Sequence, residues 1–159
     1  MPVQTSQTQL PEQLNSGETE AQAIAQAAAR AMWADDTASQ SLGMQLLSVE
    51  PGRASMKMTV RPDMTNGHGM CHGGFIFLLA DSTFAFACNS HNQRAVAASA
   101  EIHFLSSAQR NDVLNAVASE THRAGRSGVY DIRVTNQSGN LIAVFRGKSA
   151  TIKGEIVES

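Results

Sequence analysis

The segment from Gly73 to Cys88 reads Gly-Gly-Phe-Ile-Phe-Leu-Leu-Ala-Asp-Ser-Thr-Phe-Ala-Phe-Ala-Cys and contains one carboxylate, Asp81. The pattern is apolar on every side, which is typical of a helix buried in a protein core. A carboxylate in such surroundings costs free energy unless it is paired or takes part in chemistry. The segment therefore predicts a buried central helix that carries a candidate functional acid.

A glycine-rich loop, Asn66 to Gly74, leads directly into this predicted helix and reads Asn-Gly-His-Gly-Met-Cys-His-Gly-Gly. The first N–H groups of a helix have no partner within it, and the helix dipole favours negative charge beside them. Gly73 stands at this position, where the absence of a side chain lets a substrate approach the backbone. An N–H donor for an oxyanion and a buried acid are two halves of an acyl-transfer site.

The rest of the chain predicts one further helix and a run of strands. The alanine-rich region 20–35 favours the helix. Strands are predicted at 43–50, 53–60, 96–104, 113–122, 129–135 and 141–152. Because these strands follow one another without alternating helices, the pattern indicates an antiparallel α+β fold.

We expect residues 1–19, which are polar and rich in glutamine, to form a disordered leader. Residues 20–159 are then expected to form a single domain. A sheet curved around the central helix covers only part of its circumference, so a second copy of the chain is expected to cover the rest. This burial argument predicts an obligate homo-oligomer.

The composition argues against several classes of protein. The 159 residues are 42% hydrophobic and carry a formal net charge of −2, which does not favour a nucleic-acid surface. No apolar run reaches the roughly 18 residues of a membrane span, and the start of the chain lacks the pattern of a signal peptide. The two cysteines do not suggest a disulfide framework, so the reducing cytoplasm is the expected compartment.

Six short motifs between residues 32 and 155 are informative as a set. They are Asn-Gly-His at 66–68, Cys-His-Gly-Gly at 71–74, Leu-Ala-Asp at 79–81, Ala-Phe-Ala-Cys-Asn-Ser at 85–90, Gly-Val-Tyr-Asp-Ile at 128–132 and Phe-Arg-Gly-Lys-Ser at 145–149. Together they resemble the hot-dog fold and, within it, the PaaI-type acyl-CoA thioesterases of phenylacetate catabolism. The resemblance implies dimers with a continuous intersubunit sheet, usually paired into tetramers. It also implies hydrolysis of substrates such as phenylacetyl-CoA or hydroxyphenylacetyl-CoA.

The resemblance implies roles for individual residues as well. Asp81 matches the catalytic carboxylate, as general base or nucleophile, and Gly73 matches the N–H that polarises the thioester carbonyl. Asn66 matches a side chain that positions the reacting groups, although an Asn-Gly turn explains it equally well. Ser99 lies on the strand where relatives place a water-orienting hydroxyl. Relatives often have Phe-Leu-Arg-Pro where residues 104–107 of this chain read Phe-Leu-Ser-Ser, so the chain departs from that pattern at Ser106 and Ser107.

Further residues are candidates for substrate binding, beginning with His72 and Gly74. His72 and Gly74 flank Gly73, and the histidine is expected to orient the loop. The phosphates of CoA need cations, and the candidates are Arg123, Arg126, Arg146 and Lys148. His68 and Cys71 with His72 do not complete a set of four ligands, so neither a metal nor a cofactor is expected.

The spacing of Gly73 and Asp81 bears on how the site is assembled. Eight residues of helix span about 12 Å at about 1.5 Å per residue, whereas reacting atoms must lie within about 3–3.5 Å. We therefore expect the glycine loop of one chain to face the acid of its partner, with two sites per dimer. Burial raises the pKa of an acid and N–H donors lower it, so the sequence leaves the direction for Asp81 open.

Two other functions were weighed against hydrolysis. A hot-dog dehydratase uses a catalytic histidine paired with an acid in a different arrangement, which this sequence does not show. A non-catalytic acyl-CoA-binding module would bind the same ligands tightly without releasing the thiol. Measurement of thiol release from a panel of acyl-CoAs separates these possibilities.

Overall fold

The computed structural model describes residues 16–158, with side chains from residue 20 onward. The first helix, α1, spans Ser16–Asp35 and so begins four residues before the predicted start at Glu20. Helix ends are the least well determined part of a sequence-based assignment. The predicted leader otherwise lies outside the described residues. No helix within the described part of the chain is long and apolar enough to cross a membrane.

The elements after α1 follow the predicted order, with two short additions, α2 and a 3₁₀ helix at Pro62–Met64. The other α-helices and the strands are α2 Thr37–Ser41, β1 Gln45–Glu50, β2 Arg53–Thr59, α3 Gly73–Cys88, β3 Gln93–Phe104, β4 Val113–Ala124, β5 Ser127–Thr135 and β6 Leu141–Glu155. The short α2 was not predicted. The side chain of Asp36 caps it by accepting a hydrogen bond from the Ser39 N–H at 3.0 Å.

The strands of residues 16–158 form one antiparallel six-stranded sheet in the order β1-β2-β4-β5-β6-β3. The sheet wraps around α3, as the α+β hot-dog prediction required. Helix and sheet come close together at Gly147 of β6, where an added Cβ would lie 2.8 Å from the ring of Phe84. Leu79 and Phe84 of α3 are almost completely buried against this sheet. The core therefore lies between the central helix and the inner face of the sheet.

The single chain leaves one edge of the sheet and one strip of α3 incompletely covered. β3 is the last strand of the sheet, and among its residues only Ala95 and Ile102 are partly covered. On α3, Leu78, Asp81 and Ala85 are half-buried and recur at helical spacing, so they form one strip along the helix. The free strand edge and this strip are the surfaces that a second copy would have to cover.

Candidate active site

The start of α3 is held by its cap residue, His72. The backbone of His72 is extended, with φ −64° and ψ 134°, and its Nδ1 accepts a hydrogen bond from the Gly74 N–H at 2.9 Å. The His72 carbonyl accepts from the Phe75 N–H at 3.0 Å, and the His72 N–H donates to Met64 O at 2.8 Å. These bonds orient the loop at the helix start, which is the role expected of this histidine.

The Gly73 N–H is the donor that has no acceptor in this cap. The backbone N–H groups of His72, Gly74 and Phe75 all have acceptors, whereas no acceptor within residues 16–158 takes the Gly73 N–H. The group lies at the positive end of the α3 dipole and at a half-buried position. It is therefore available to an oxyanion or a polarised carbonyl oxygen.

Gly74 takes part in the cap of α3 through its backbone N–H. Its N–H is already bonded to His72, so it does not serve as a second oxyanion donor while the cap is formed. An added Cβ would lie 3.1 Å from His72 Nδ1. The structure thus places Gly74 in the cap that exposes Gly73.

The side chain of Asn66 is only partly used by the turn that it closes. Its Oδ1 accepts hydrogen bonds from the His68 N–H at 2.9 Å and from the Met70 N–H at 3.3 Å, which closes the loop. The Nδ2 amide of Asn66 has no acceptor in the described part of the chain. The side chain therefore holds the turn with its oxygen and keeps its N–H₂ group available as a donor.

Asp81 lies about two turns further along α3 and is half-buried. Its carboxylate forms no hydrogen bond or ion pair with any other described residue. The neighbouring Ser82 is engaged elsewhere, because its Oγ lies 2.8 Å from Ser39 Oγ. Burial raises the pKa of the Asp81 carboxyl above its ordinary value of 3.8. Desolvation raises the pKa because no donor among the described residues opposes it.

The cysteines and histidines near the site do not supply an alternative chemistry. Burial raises the pKa of Cys71 to about 11 and that of Cys88 to about 12, so both thiols stay protonated near neutral pH. A thiol in that state is a poor nucleophile. Within the described residues, no group of three His, Cys, Asp or Glu side chains is placed to hold a metal ion.

Two of the four cations proposed for CoA phosphates are engaged by the protein itself. Arg146 forms two hydrogen bonds to Asp131, at 2.6 and 2.7 Å, and Arg126 donates to Thr151 O at 3.0 Å. Arg123 has a looser partner, since its Nε lies 3.9 Å from Glu120 Oε1. Lys148 is exposed and forms no ion pair with another described residue. Lys148 and Arg123 therefore have the weaker partners within the protein, and they are freer to bind a phosphate.

Arg126 lies near the C-terminal end of α3. Asn89, which caps that end, donates to Ala95 O at 3.1 Å, and Ala95 pairs with Thr151, the acceptor of Arg126. Gly73 lies at the opposite end of the 16-residue helix, roughly 22 Å away at about 1.5 Å per residue. Within one chain, Arg126 does not lie beside the Gly73 donor.

Ser99 also lies away from α3 within its own chain. A bulge at Ala98 sets the register of β3 so that Ser99 pairs with Lys148 of β6. Lys148 is exposed, whereas its neighbours Gly147 and Ser149 are buried, so the pair lies on the outer face of the sheet. α3 packs on the inner face, and Ser99 does not join the loop of Gly73 in the same chain.

One contact at the loop was not predicted. A Cβ added to Gly73 would lie 3.0 Å from Cζ of Phe104, the last residue of β3. The sequence pattern assigns no role to this phenylalanine, which lies just before the departure from the family pattern at 106–107. The contact joins residues that are distant along the chain, so no local pattern signals it.

Comparison with known proteins places this geometry in a family. The model of the thioesterase superfamily matches residues 68–143, which include α3 and the part of the loop that begins at His68. The acyl-coenzyme A thioesterase PaaI of Escherichia coli K12 is 44% identical over 128 residues, which cover 80% of this chain and 91% of that protein.

Solved structures agree with the sequence match. The structure of E. coli PaaI, from the phenylacetic acid degradation operon, has a TM-score of 0.83 at 42% identity and covers 84% of this chain and 97% of the other. A Streptococcus mutans UA159 protein solved with bound acetyl-CoA has a TM-score of 0.67 at 27% identity. That similarity covers 70% of this chain and 90% of the other.

Proposed function

This chain belongs to the PaaI-type acyl-CoA thioesterases of the thioesterase superfamily, and we propose that its substrates are aryl-acetyl-CoA thioesters such as phenylacetyl-CoA and hydroxyphenylacetyl-CoA. In the proposed site Asp81 supplies the reactive carboxylate, Gly73 the oxyanion donor and Asn66 a positioning amide. The observation that carries this assignment is that α3 presents an unpaired N–H at its start and an unpaired, half-buried acid in its middle.

The proposed chemistry needs one ionised acid and one backbone donor. Asp81 either removes a proton from a water that attacks the carbonyl carbon, or attacks that carbon itself to form an anhydride that water then cleaves. In both routes the carbonyl π electrons move to oxygen, and the Gly73 N–H donates to the resulting oxyanion. The oxyanion collapses and the C–S bond breaks, so CoA leaves as a thiolate that takes up a proton. The products are the free acid and CoA.

The environment of Asp81 suits both routes. A carboxylate with a raised pKa binds a proton more tightly, so it is a better base than an exposed aspartate. It has no partner within the described chain that would have to be displaced before it reacts. Asn66 Nδ2 adds a second free donor in the loop that holds Gly73.

We propose that each active site is shared between two chains. Gly73 and Asp81 are eight residues apart on one rigid helix, about 12 Å at about 1.5 Å per residue, which is too far for both to act on one carbonyl. A second chain covering the free edge of β3 and the exposed strip of α3 can present its glycine loop to this acid. A two-fold axis then generates two equivalent sites per dimer. Further pairing into a tetramer is part of the same proposal.

The preference for an aryl-acetyl group is supported by the chain's relatives and by the loop. The E. coli structure at 42% identity comes from the phenylacetic acid degradation operon. Phe75 and Phe77 are only partly buried near the start of α3, and they offer apolar, aromatic walls. For the CoA phosphates we propose Lys148 and Arg123, with Arg126, Arg146 and Ser99 as further contacts. We place the reaction in the cytoplasm.

The substrate proposal predicts selective thiol release. Purified protein is expected to hydrolyse phenylacetyl-CoA and hydroxyphenylacetyl-CoA with kcat/KM at least about tenfold above that for acetyl-CoA, because burial of an aromatic ring adds binding free energy. The measurement is the rate of free-thiol appearance with each ester. Equal rates across the panel would contradict the aryl-acetyl preference. Tight binding without thiol release would instead identify a non-catalytic acyl-CoA-binding module.

The shared site predicts complementation between two inactive variants. Asp81→Asn and Gly73→Pro chains carrying different tags are co-expressed, and heterodimers are isolated through both tags in succession. One site of each heterodimer then combines an intact acid with an intact N–H, so about half of the wild-type rate per dimer is expected. Each variant alone serves as the inactive control. Isolated heterodimers without activity would show that each site lies within one chain.

A further inference from the structure

Phe104 contacts the residue that donates to the oxyanion, although it is 53% exposed within the chain. An added Cβ at Gly73 would meet Cζ at 3.0 Å, Cε1 at 3.2 Å and Cε2 at 3.5 Å, so the tip of the ring points at the glycine. Only glycine leaves room for this contact without movement of the ring. The free N–H of Gly73 therefore lies beside an aromatic side chain.

The position of the ring is determined by the backbone around it. Phe104 pairs with Ala143 at the end of β3, and the Leu105 N–H donates to Ile142 O at 2.8 Å. The Ser106 N–H donates to the same oxygen at 3.2 Å. β6 therefore anchors the backbone on both sides of Phe104, and the ring projects from a fixed strand end toward the start of α3.

Building on the proposed function, we propose that Phe104 forms the wall of the acyl site beside the Gly73 donor and selects flat aromatic acyl groups. A carbonyl oxygen bonded to the Gly73 N–H places the acyl carbon next to this glycine. In phenylacetyl-CoA one methylene separates that carbon from the phenyl ring. The substrate ring is thereby brought near the range of about 4.5–7 Å between centroids at which aromatic rings attract each other.

The same ring has a second effect on the donor. It covers part of the approach to Gly73 with apolar surface, which lowers the local polarity where the oxyanion forms. A hydrogen bond to charge is stronger in such surroundings than in water. Loss of the side chain should therefore lower kcat for every ester, whereas loss of its aromatic character alone should change the preference among esters.

The test compares Phe104→Leu, Phe104→Tyr and Leu105→Ala with the wild-type protein. Leu105 is the matched control, because it is the adjacent apolar side chain and is similarly exposed, at 54%. For each protein, kcat and KM are measured with phenylacetyl-CoA and with hexanoyl-CoA. Thermal unfolding of each variant shows whether it is folded.

The ratio of kcat/KM for phenylacetyl-CoA over hexanoyl-CoA is the decisive quantity. Phe104→Leu is expected to lower it by about three- to tenfold, which is the size of an aromatic pairing preference. Phe104→Tyr, which keeps the ring, and Leu105→Ala are expected to leave it within about twofold. An unchanged ratio in Phe104→Leu, or an equal fall in Leu105→Ala, would overturn the role of Phe104. No thiol release from any ester by the wild-type protein would overturn the proposed function itself.

Discussion

Replacement of Asp81 by asparagine is expected to lower kcat/KM for phenylacetyl-CoA by about 10²–10⁴-fold, the usual contribution of a positioned general base. Asparagine has nearly the same shape, but its amide neither removes a proton from water nor attacks a carbonyl carbon. Asp81 has no hydrogen-bond partner in the described chain, so the substitution breaks no internal contact. The measurement is thiol release under conditions in which the oligomer is verified by sedimentation.

Asp63→Asn provides the matched control for this substitution. Asp63 is also an aspartate, but its side chain is 68% exposed and pairs with Arg61 outside the proposed site. Its replacement is expected to leave turnover within about twofold, as surface substitutions usually do. If Asp81→Asn retained a third or more of the wild-type rate with an intact oligomer, Asp81 would not be the reactive group.

The same carboxylate should determine the acid limb of the pH profile. Both routes of hydrolysis require ionised Asp81, so kcat/KM should fall as pH falls through the pKa of this group. Because burial raises that pKa above 3.8, the midpoint should lie above the pKa of an exposed aspartate. A midpoint at or below that value would mean that Asp81 is solvated or paired in the working enzyme.

The raised pKa also has a consequence for stability, with a defined sign. Ionisation of Asp81 opposes folding, so its cost is fully present above the folded-state pKa and absent below the unfolded value near 3.8. Asparagine does not ionise, so Asp81→Asn should be at least as stable as the wild-type protein at pH 7. The difference should shrink as pH falls. If replacement of a residue lowers the activity of the protein but not its stability, that residue is retained for function.

The central helix was predicted with the bounds that the structure has, Gly73 to Cys88. Its apolar run and its glycine start are local properties of the sequence, so neighbours along the chain suffice to define it. α2 was missed because its five residues are too few to show a helical pattern in the sequence. β3 and β6 extend beyond their predicted ends because Gln93 and Glu155 pair with each other, which polar patterning does not reveal.

The candidate site was predictable to the extent that it is local. Gly73, His72 and Asn66 lie in one loop, and the side-chain hydrogen bonds of His72 and Asn66 join residues no more than four positions apart. The outer-face position of Ser99 depends on strand register, and the approach of Phe104 depends on distant packing. Neither has a local signal in the sequence.

Polar contacts between residues distant along the chain could not be predicted from the sequence either. Glu120 Oε2 accepts hydrogen bonds from Tyr130 Oη at 2.7 Å and lies 2.7 Å from His91 Nε2. His91 follows the C-terminal end of α3, whereas the other two residues lie on β4 and β5. Nothing near His91 along the chain identifies Glu120 as its partner. The cluster ties the far end of the helix to the sheet.

Replacement of Gly73 by proline is expected to lower kcat by about 10²–10³-fold, the usual effect of removing one oxyanion donor. Proline is the only residue that deletes the backbone N–H. The first position of a helix tolerates it, because that N–H has no partner within the helix. The preceding residue must be extended, and His72 already has φ −64° and ψ 134°. The helix start is therefore compatible with proline while its donor is lost.

Gly73→Ala separates the loss of the donor from crowding against Phe104. Alanine keeps the N–H but places a Cβ 3.0 Å from the ring tip, as proline also does, so both variants must displace the ring slightly. Any loss of kcat that Gly73→Pro shows beyond that of Gly73→Ala is due to the missing hydrogen bond. An equal loss in both variants would attribute the defect to the space around Phe104 and remove Gly73 from the oxyanion site. If only the proline variant loses activity and its KM is nearly unchanged, the N–H of Gly73 bonds to charge that develops only during the reaction.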